Sequence, residues 1–349
     1  MTTAFPGAAP VADLSDNTNL FGVPPAAARA LAGAADLAPR YPSPQADRLR
    51  AALAAYAGVP AECVVTGCGS DDVLDCAFRA FGAPGDRVAH AAPTFSMIPL
   101  LAEANRLRPR AVPLAPGGDH DADALLASGA RIVYLCSPNN PTGGAASAGT
   151  LARVAERAPG LVVVDRAYAE FEAGGEAPAL PVRAGVLEVR TLSKAFGLAG
   201  LRVGWGVSDP ATVRALERVR GPYKVGSIAE RAAVAALEED RAWMAATARA
   251  ALASRARLAA GLAALGRAPL PSQANFVLVP VPDAEACAAA LARRGVRVRP
   301  FARLAGIGDA IRVTAGPDPA VAALLAALPA ALEESAPRPP GAGARGGMP

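Results

Sequence analysis

The sequence is poor in the residues that build metal centres and disulfide frameworks. Of its 349 residues only two are histidine, His90 and His120, and the five cysteines, Cys63, Cys68, Cys76, Cys136 and Cys287, are odd in number with no CxxC pair. A metal site is therefore not expected, and reduced thiols in a cytoplasm are the simplest reading. There is no block of one charge: 35 Lys and Arg stand against 31 Asp and Glu, and the arginines are spread along the chain. A nucleic-acid partner is not expected from such a distribution. No apolar run reaches the ~20 residues of a membrane span. The opening MTTAFPGAAPVADLSD has neither a charged n-region nor a long apolar h-region, so no signal peptide is expected. What is present in quantity is apolar residue, at 52%, which excludes a mostly disordered chain. A chain of this length buries roughly three quarters of its unfolded surface and needs no covalent staples.

The middle of the sequence alternates short β-branched runs with Ala/Leu/Arg stretches. Strands are predicted at Cys63–Thr66, Arg87–His90, Ala111–Leu114, Arg131–Cys136, Leu161–Asp165, Val186–Thr191 and Leu201–Val207, with helices such as Ser70–Phe81 and Thr150–Arg157 between them. That alternation predicts an α/β fold with a mostly parallel sheet covered by helices on both faces. Ligands of such sheets bind at the carboxyl ends of the strands. From Ser227 to about Leu265 the sequence is helical in pattern without Pro or Gly until Gly261, and reads as one or two helices bridging two domains. Beyond it, strands at Phe276–Val279, Val296–Arg299 and Ala310–Thr314 and helices at Ala284–Arg294 and Pro319–Glu334 form a smaller α+β unit. The predicted division is a large domain over 38–238, a small domain made of 1–37 and 239–335, and a disordered Pro/Gly-rich tail over 336–349.

Four segments carry chemistry, and each falls at the carboxyl end of a predicted strand. In Thr191–Gly204, TLSKAFGLAGLRVG, a strand runs into Ser193 and Lys194. A lysine amine held there can form a Schiff base with an aldehyde cofactor, while Ser193 and Arg202 can both reach a phosphate. In Leu161–Phe171, LVVVDRAYAEF, four apolar residues end at Asp165, whose carboxylate can pair with a pyridinium nitrogen; Tyr168 can donate to a ring oxygen. In Cys136–Gly143, CSPNNPTG, the prolines fix a tight turn around Asn140, which has donors and acceptors for a ring substituent. In Thr66–Leu74, TGCGSDDVL, the free amides of Gly69, Ser70 and Asp71 at a helix start make an anion site. Taken singly, a surface loop, a capped helix or a plain turn explains each; four at strand ends are not explained that way.

TLSKAFGLAGLRVG, VDRAY, SPNNPTG and GCGSDD in this spacing resemble the fold-type I pyridoxal-phosphate aminotransferases. SDNTNLFG, RYPSP, APTFSM, PSQANFVL and IRVTAG bring the sequence closest to the histidinol-phosphate aminotransferase group, from Asp13 to about Glu334. The resemblance implies pyridoxal 5'-phosphate as cofactor, bonded to Lys194 and anchored by Asp165 at its pyridine nitrogen. Asn140 and Tyr168 are implied at its ring oxygen, Phe95 against its ring face, and Ser70, Ser193 and Arg202 around its phosphate. It further implies that Tyr41 reaches the phosphate held by a second subunit, hence a homodimer, and that Arg312 receives an α-carboxylate. Arg299 is implied to meet a substrate phosphate or carboxylate, with Asn17 and Asn19 in a segment closing the cleft.

The expected activity is transamination from glutamate to imidazole acetol phosphate, giving histidinol phosphate, in histidine biosynthesis. An aromatic amino-acid aminotransferase and a decarboxylase of a phosphorylated amino acid such as threonine phosphate share the cofactor and remain open. Arg166 stands where the group usually has Glu; in an alternating strand end its side chain points away from the Asp165 face. Thr18 and Leu20 likewise replace Glu and Pro of the usual N-terminal motif.

Overall fold

The computed structural model describes residues 12–335; the predicted tail at 336–349 and the first part of the N-terminal segment lie outside them. In chain order the strands are β1 (Ala12–Asp13), β2 (Val64–Cys68), β3 (Arg87–Ala92), β4 (Arg108–Pro113), β5 (Ile132–Cys136), β6 (Leu161–Asp165), β7 (Val186–Thr191), β8 (Val203–Val207), β9 (Phe276–Pro280), β10 (Val296–Arg297), β11 (Arg299–Leu304) and β12 (Gly308–Thr314). Seven of them form one sheet in the order β2-β8-β7-β6-β5-β3-β4. Every pair from β7 to β4 is parallel. β8 alone runs against both of its neighbours, β7 and β2. Two reversals restore direction, so β2, β3, β5, β6 and β7 all present their carboxyl ends at one edge.

Both faces of this sheet are covered, as near-continuous apolar strands require. On one face Val88, Ile132, Tyr134, Leu161, Val163, Leu187 and Val189 pack with Leu74, Ala77 and Phe78 of the helix Ser70–Phe81 and with Val213 and Leu216 of Pro210–Val219. On the other, Val133, Leu135, Val162 and Val164 meet Leu125 and Val154 from two shorter helices. A third cluster joins β8 to the helices Pro25–Ala32, Asp47–Ala57 and Ser227–Glu239 through Leu49, Leu53, Ala232, Ala233 and Trp205. Trp205 is therefore core, with the buried Arg190 guanidinium 5.1 Å over its ring.

The long helical stretch is two helices, Ser227–Glu239 and Arg241–Ala264, broken at Asp240. The break has a visible use: the buried Asp240 carboxylate accepts from the amides of Ala26 and Ala27 at 2.9 and 3.2 Å, supplying the start of Pro25–Ala32 with the acceptor that Pro24 lacks. The second helix packs Met244 and Ala248 with the large sheet's helices and Leu258 and Leu262 with the smaller unit.

That smaller unit has a three-stranded antiparallel sheet, β11-β12-β9, under the helices Ala284–Arg293 and Asp318–Ser335. The single strand predicted at Val296–Arg299 is two. β10 pairs in parallel with β1 from the N-terminal segment, and β11 starts afresh at Arg299 against β12.

Candidate active site

The motif-bearing strand ends meet in one cleft of about 520 Å³, which also takes residues from the N-terminal segment and from β11 and β12. Lys194, Asp165, Tyr168, Asn140, Ser70, Asp71, Phe95, Ser193, Arg202, Arg299 and Arg312 all line it. The loop from β7 to β8 explains the spacing of TLSKAFGLAGLRVG: because the two strands are antiparallel neighbours, Ser193 leaves one and Arg202 enters the other side by side. Arg202 Nη1 lies 3.5 Å from Ser193 Oγ. Arg202 itself has φ 53°, a conformation sparsely used by side-chain-bearing residues and concentrated at functional sites.

At the floor of the cleft Asp165 is buried at 3% exposure. Its Oδ2 accepts from the Tyr134 hydroxyl at 2.7 Å and its Oδ1 from the Ala167 amide at 3.0 Å. Burial raises its carboxyl to about 6, against the lowering effect of those two bonds. A buried carboxylate so placed gains most from a cation brought to it.

Lys194 Nζ donates to the main-chain oxygen of Asp16 at 3.0 Å and stands 5.9 Å from the centre of the Tyr168 ring. Burial, and then the nearby Arg312 charge, lower its amine to about 8. Tyr168 is buried edge-on to Phe276, accepts from Asn17 Nδ2 at 3.1 Å, and is pushed up to about 12, chiefly by burial. It is a neutral hydroxyl at physiological pH.

Arg312 reaches in from β12. Its Nη1 donates to Asn140 Oδ1 at 2.6 Å and its Nη2 to the Ser15 oxygen at 2.7 Å, while Nε is buried without a partner. The two asparagines of CSPNNPTG divide their work. Asn139 is buried and spends its amide on Pro93, Thr94 and Thr142; Asn140 faces the cleft. Arg299 pairs with the carboxylate of Asp16 at the cleft mouth.

Two of the sequence-derived residues sit differently from expectation. The Gly69 amide is not free: with φ +81° it turns back to the Gly67 oxygen at 2.9 Å, leaving the Ser70 and Asp71 amides to start the helix. Gly69 matters for space, since a Cβ there would come within 2.4 Å of Arg202 Nη2. Asn19 does not line the cleft. Its Nδ2 donates to the Ala195 oxygen at 2.9 Å and to Thr247 at 3.1 Å, so it steadies the turn after Lys194. Tyr41 is 85% exposed on the surface of the chain, its ring 5.1 Å from that of Tyr223. Arg166 turns from the cleft to Glu188 at 3.2 Å and Glu172 at 3.6 Å.

Sequence reasoning missed Tyr134 and Asp16. A tyrosine in IVYLC carries no mark that separates it from core, and Asp16 lies in a stretch without periodicity.

The residues fit a phosphate-bearing aromatic aldehyde. A lysine amine, a buried carboxylate for a ring nitrogen, Asn140 and Tyr168 for a ring hydroxyl, and an anion cup of helix amides, Ser193 and Arg202 can each meet one group of such a molecule. A Cβ at Gly69 would meet the Arg202 guanidinium, so the bare glycine is what leaves that cation its place in the cup. Among the described residues no cluster of three or more His, Cys, Asp or Glu is placed to hold a metal, and no helix is long and apolar enough to cross a membrane.

Comparison with known proteins gives the same class. Residues 9–328 match the family described as aminotransferase class I and II. A histidinol-phosphate aminotransferase of Ruegeria pomeroyi is 39% identical over 342 residues, covering 95% of this chain and 93% of that protein. An aromatic amino acid aminotransferase of Nocardia farcinica is 39% identical, covering 87% of each. The crystal structure of histidinol-phosphate aminotransferase from Sinorhizobium meliloti with pyridoxal-5'-phosphate superposes with a TM-score of 0.86 at 30% identity, covering 94% of this chain and 92% of that one.

Proposed function

Because the chain belongs to the class I and II aminotransferase family, we propose that it is a pyridoxal-phosphate-dependent histidinol-phosphate aminotransferase, exchanging an amino group between glutamate and imidazole acetol phosphate. The observation that carries the reading is the convergence in one cleft of Lys194, its amine lowered to about 8, with the buried Asp165 and with Arg312, whose Nε has no partner. The two histidinol-phosphate aminotransferases named above support the substrate.

Pyridoxal phosphate, when bound, supplies the electron sink that makes a substrate α-proton removable. The chain's residues do the rest. Asp165 stays ionised opposite the ring nitrogen, and Tyr134 and the Ala167 amide fix its two oxygens. Tyr168 and the Nδ2 of Asn140 donate to the ring oxygen. The helix start at Ser70, with Ser193 and Arg202, holds the phosphate. Arg312 takes the α-carboxylate on its Nε–Nη2 edge, displacing the Ser15 oxygen, as a planar two-donor fork suits a carboxylate. Lys194 Nζ accepts the proton from the substrate carbon and would hand it on to the cofactor's aldehyde carbon, and an amine that titrates near working pH is matched to both tasks. The small unit closes over the cleft when Arg312 engages.

The same proposal includes the division into a large domain at 38–238 and the remainder, except that Pro25–Ala32, packed on Ser227–Glu239 beside the large sheet, goes with the large domain. It includes a homodimer, in which the exposed Tyr41 serves the partner's phosphate, and a cytoplasmic setting, with which the five free thiols agree.

The test is a half-reaction screen of the cofactor-loaded protein, following cofactor absorbance with histidinol phosphate, glutamate, phenylalanine, tyrosine and threonine phosphate. Conversion by histidinol phosphate and glutamate supports the reading. Preference for the aromatic pair, or carbon dioxide from threonine phosphate, replaces it.

A further inference from the structure

The segment Ser15–Asn17 crosses the cleft and engages three of its four cations. The Ser15 oxygen takes Arg312 Nη2, the Asp16 oxygen takes Lys194 Nζ, and the Asp16 carboxylate takes Arg299. Two of these acceptors are neutral carbonyls. An arriving carboxylate replaces the Ser15 oxygen on Arg312 with a stronger, charged acceptor, and the idle Nε is there to complete the fork. Arg299 is different: it is already met by a full charge, so a substrate anion seated there exchanges charge for charge.

The displaced carboxylate has nowhere distant to go. Asn17, the next residue, is 1% exposed and pinned at four points. Its amide and Oδ1 bond Thr314 at 3.0 and 3.1 Å, its Nδ2 bonds Tyr168, and its oxygen accepts from Asn275 at 3.1 Å. On the other side, the Leu14 amide bonds the Arg297 oxygen at 2.9 Å. Asp16 is held between two fixed points at the cleft mouth. The Asp16–Arg299 pair is half-exposed and inexpensive to open, but once opened it leaves a negative charge beside whatever anion Arg299 has accepted.

We infer that Asp16 is a specificity-determining residue: its carboxylate competes for Arg299 and then repels the substrate's distal group, so that a dianionic phosphate is penalised most, a carboxylate less and an uncharged ring not at all. The inference rests on the aminotransferase reading of the cleft and adds a repulsive element to it, of the kind that discrimination between related ligands commonly requires. In this chain the cleft admits a phosphorylated substrate against a built-in handicap, and removing one side chain lifts it.

The experiment uses the cofactor-loaded protein and three unreactive probes that share a carboxylate for Arg312 and differ at the far end: phosphonopropionate, glutarate and hydrocinnamate. Dissociation constants are measured by calorimetry at one ionic strength for the parent and for Asp16→Asn and Asp16→Glu. Asp16→Asn should tighten phosphonopropionate roughly 5-fold or more and glutarate by about half that factor, with hydrocinnamate changed less than about 2-fold, since like charges side by side are what the change removes. Asp16→Glu keeps the charge and should keep the parent's order of affinities. In Arg299→Gln, phosphonopropionate should lose its advantage from Asp16→Asn in large part, because the seat is gone. A parent that transfers amino groups while its Asp16→Asn form shows the parent's probe ratios overturns the inference alone. A parent that converts no amino donor overturns the reading beneath it.

Discussion

Tyr134 donates its hydroxyl proton to Oδ2 of Asp165 at 2.7 Å, and neither side chain is open to solvent. The two come from adjacent parallel strands, β5 and β6, and lie on the same face of the sheet as Ile132, Leu161 and Val163. A carboxylate in that position is desolvated and depends on its few polar neighbours to stay charged.

Tyr134→Phe removes the larger of the two bonds that oppose the burial effect on Asp165. The carboxyl should rise further above about 6, and cofactor binding should weaken by about 1.5–3 kcal/mol, the range for a hydrogen bond to a charged group. Phenylalanine fills the same space, so the fold should hold. Cofactor dissociation constants measured across pH check this: the fall in affinity on the acid side should begin at higher pH than in the parent. Coincident profiles would reduce Tyr134 to packing.

Asp165→Asn should make the cofactor-free protein more stable at alkaline pH while disabling it. The native carboxyl lies at about 6, above the 3.8 of the ordinary group. The group's contribution to stability is therefore fully present below 3.8 and is lost as pH rises through about 6. A shift of this size corresponds to roughly 3 kcal/mol. Thermal melts of the cofactor-free parent and variant should coincide near pH 3.8 and separate above pH 6, with the variant higher. A parent that melts higher at pH 8 contradicts the assignment.

Lys194 should capture free pyridoxal phosphate faster as pH rises through about 8, because the neutral amine is the nucleophile and burial lowers its pKa from 10.5. Arg312 contributes to that lowering through like charge. Arg312→Gln should therefore move the midpoint of the capture rate upward. Stopped-flow absorbance with the cofactor-free protein reads both; an unmoved midpoint would mean that the two cations do not feel each other.

Gly69→Ala places a methyl group where Arg202 Nη2 now lies and forces a side chain into φ +81°. Arg202 has to retreat from the anion cup. Cofactor affinity should fall on the order of 10-fold, the worth of one charged contact. Pyridoxal without its phosphate should bind parent and variant alike. Equal losses for both forms of the cofactor would place the damage outside the cup.

The strand ends were legible because buried parallel strands are written as apolar runs that stop abruptly at a polar residue, as LVVV stops at Asp165. Leu161–Asp165 and Val186–Thr191 match their predicted bounds, and Ser70–Phe81 matches its own. The helices Asp47–Ala57 and Pro210–Val219 went unread, although the second carries a plain signal in Asp209, whose carboxylate caps the Ala211 and Thr212 amides. What no local pattern encodes is pairing at a distance. β1 is two residues long and exists because β10 lies beside it. The division of Val296–Arg299 into two strands follows from that partner. The resemblance implies Asn19 at the cleft, whereas its side chain turns to Ala195 and Thr247. Asp16 acquires its meaning only from Arg299, far along the chain.

The bond from the Asn17 amide to Thr314 joins residues 297 positions apart. During synthesis the strap that crosses the cleft is made long before the strand that pins it. At about 5–20 residues per second, roughly 15–60 s of translation separate the two. The helices and parallel strands in between can settle as they emerge, yet Arg312, Thr314 and Asn275 reach the ribosome's exit only after them. A nascent or clipped chain therefore has Lys194 without its full complement of anchors, and a shortened product, however well folded its large sheet, is not a smaller enzyme.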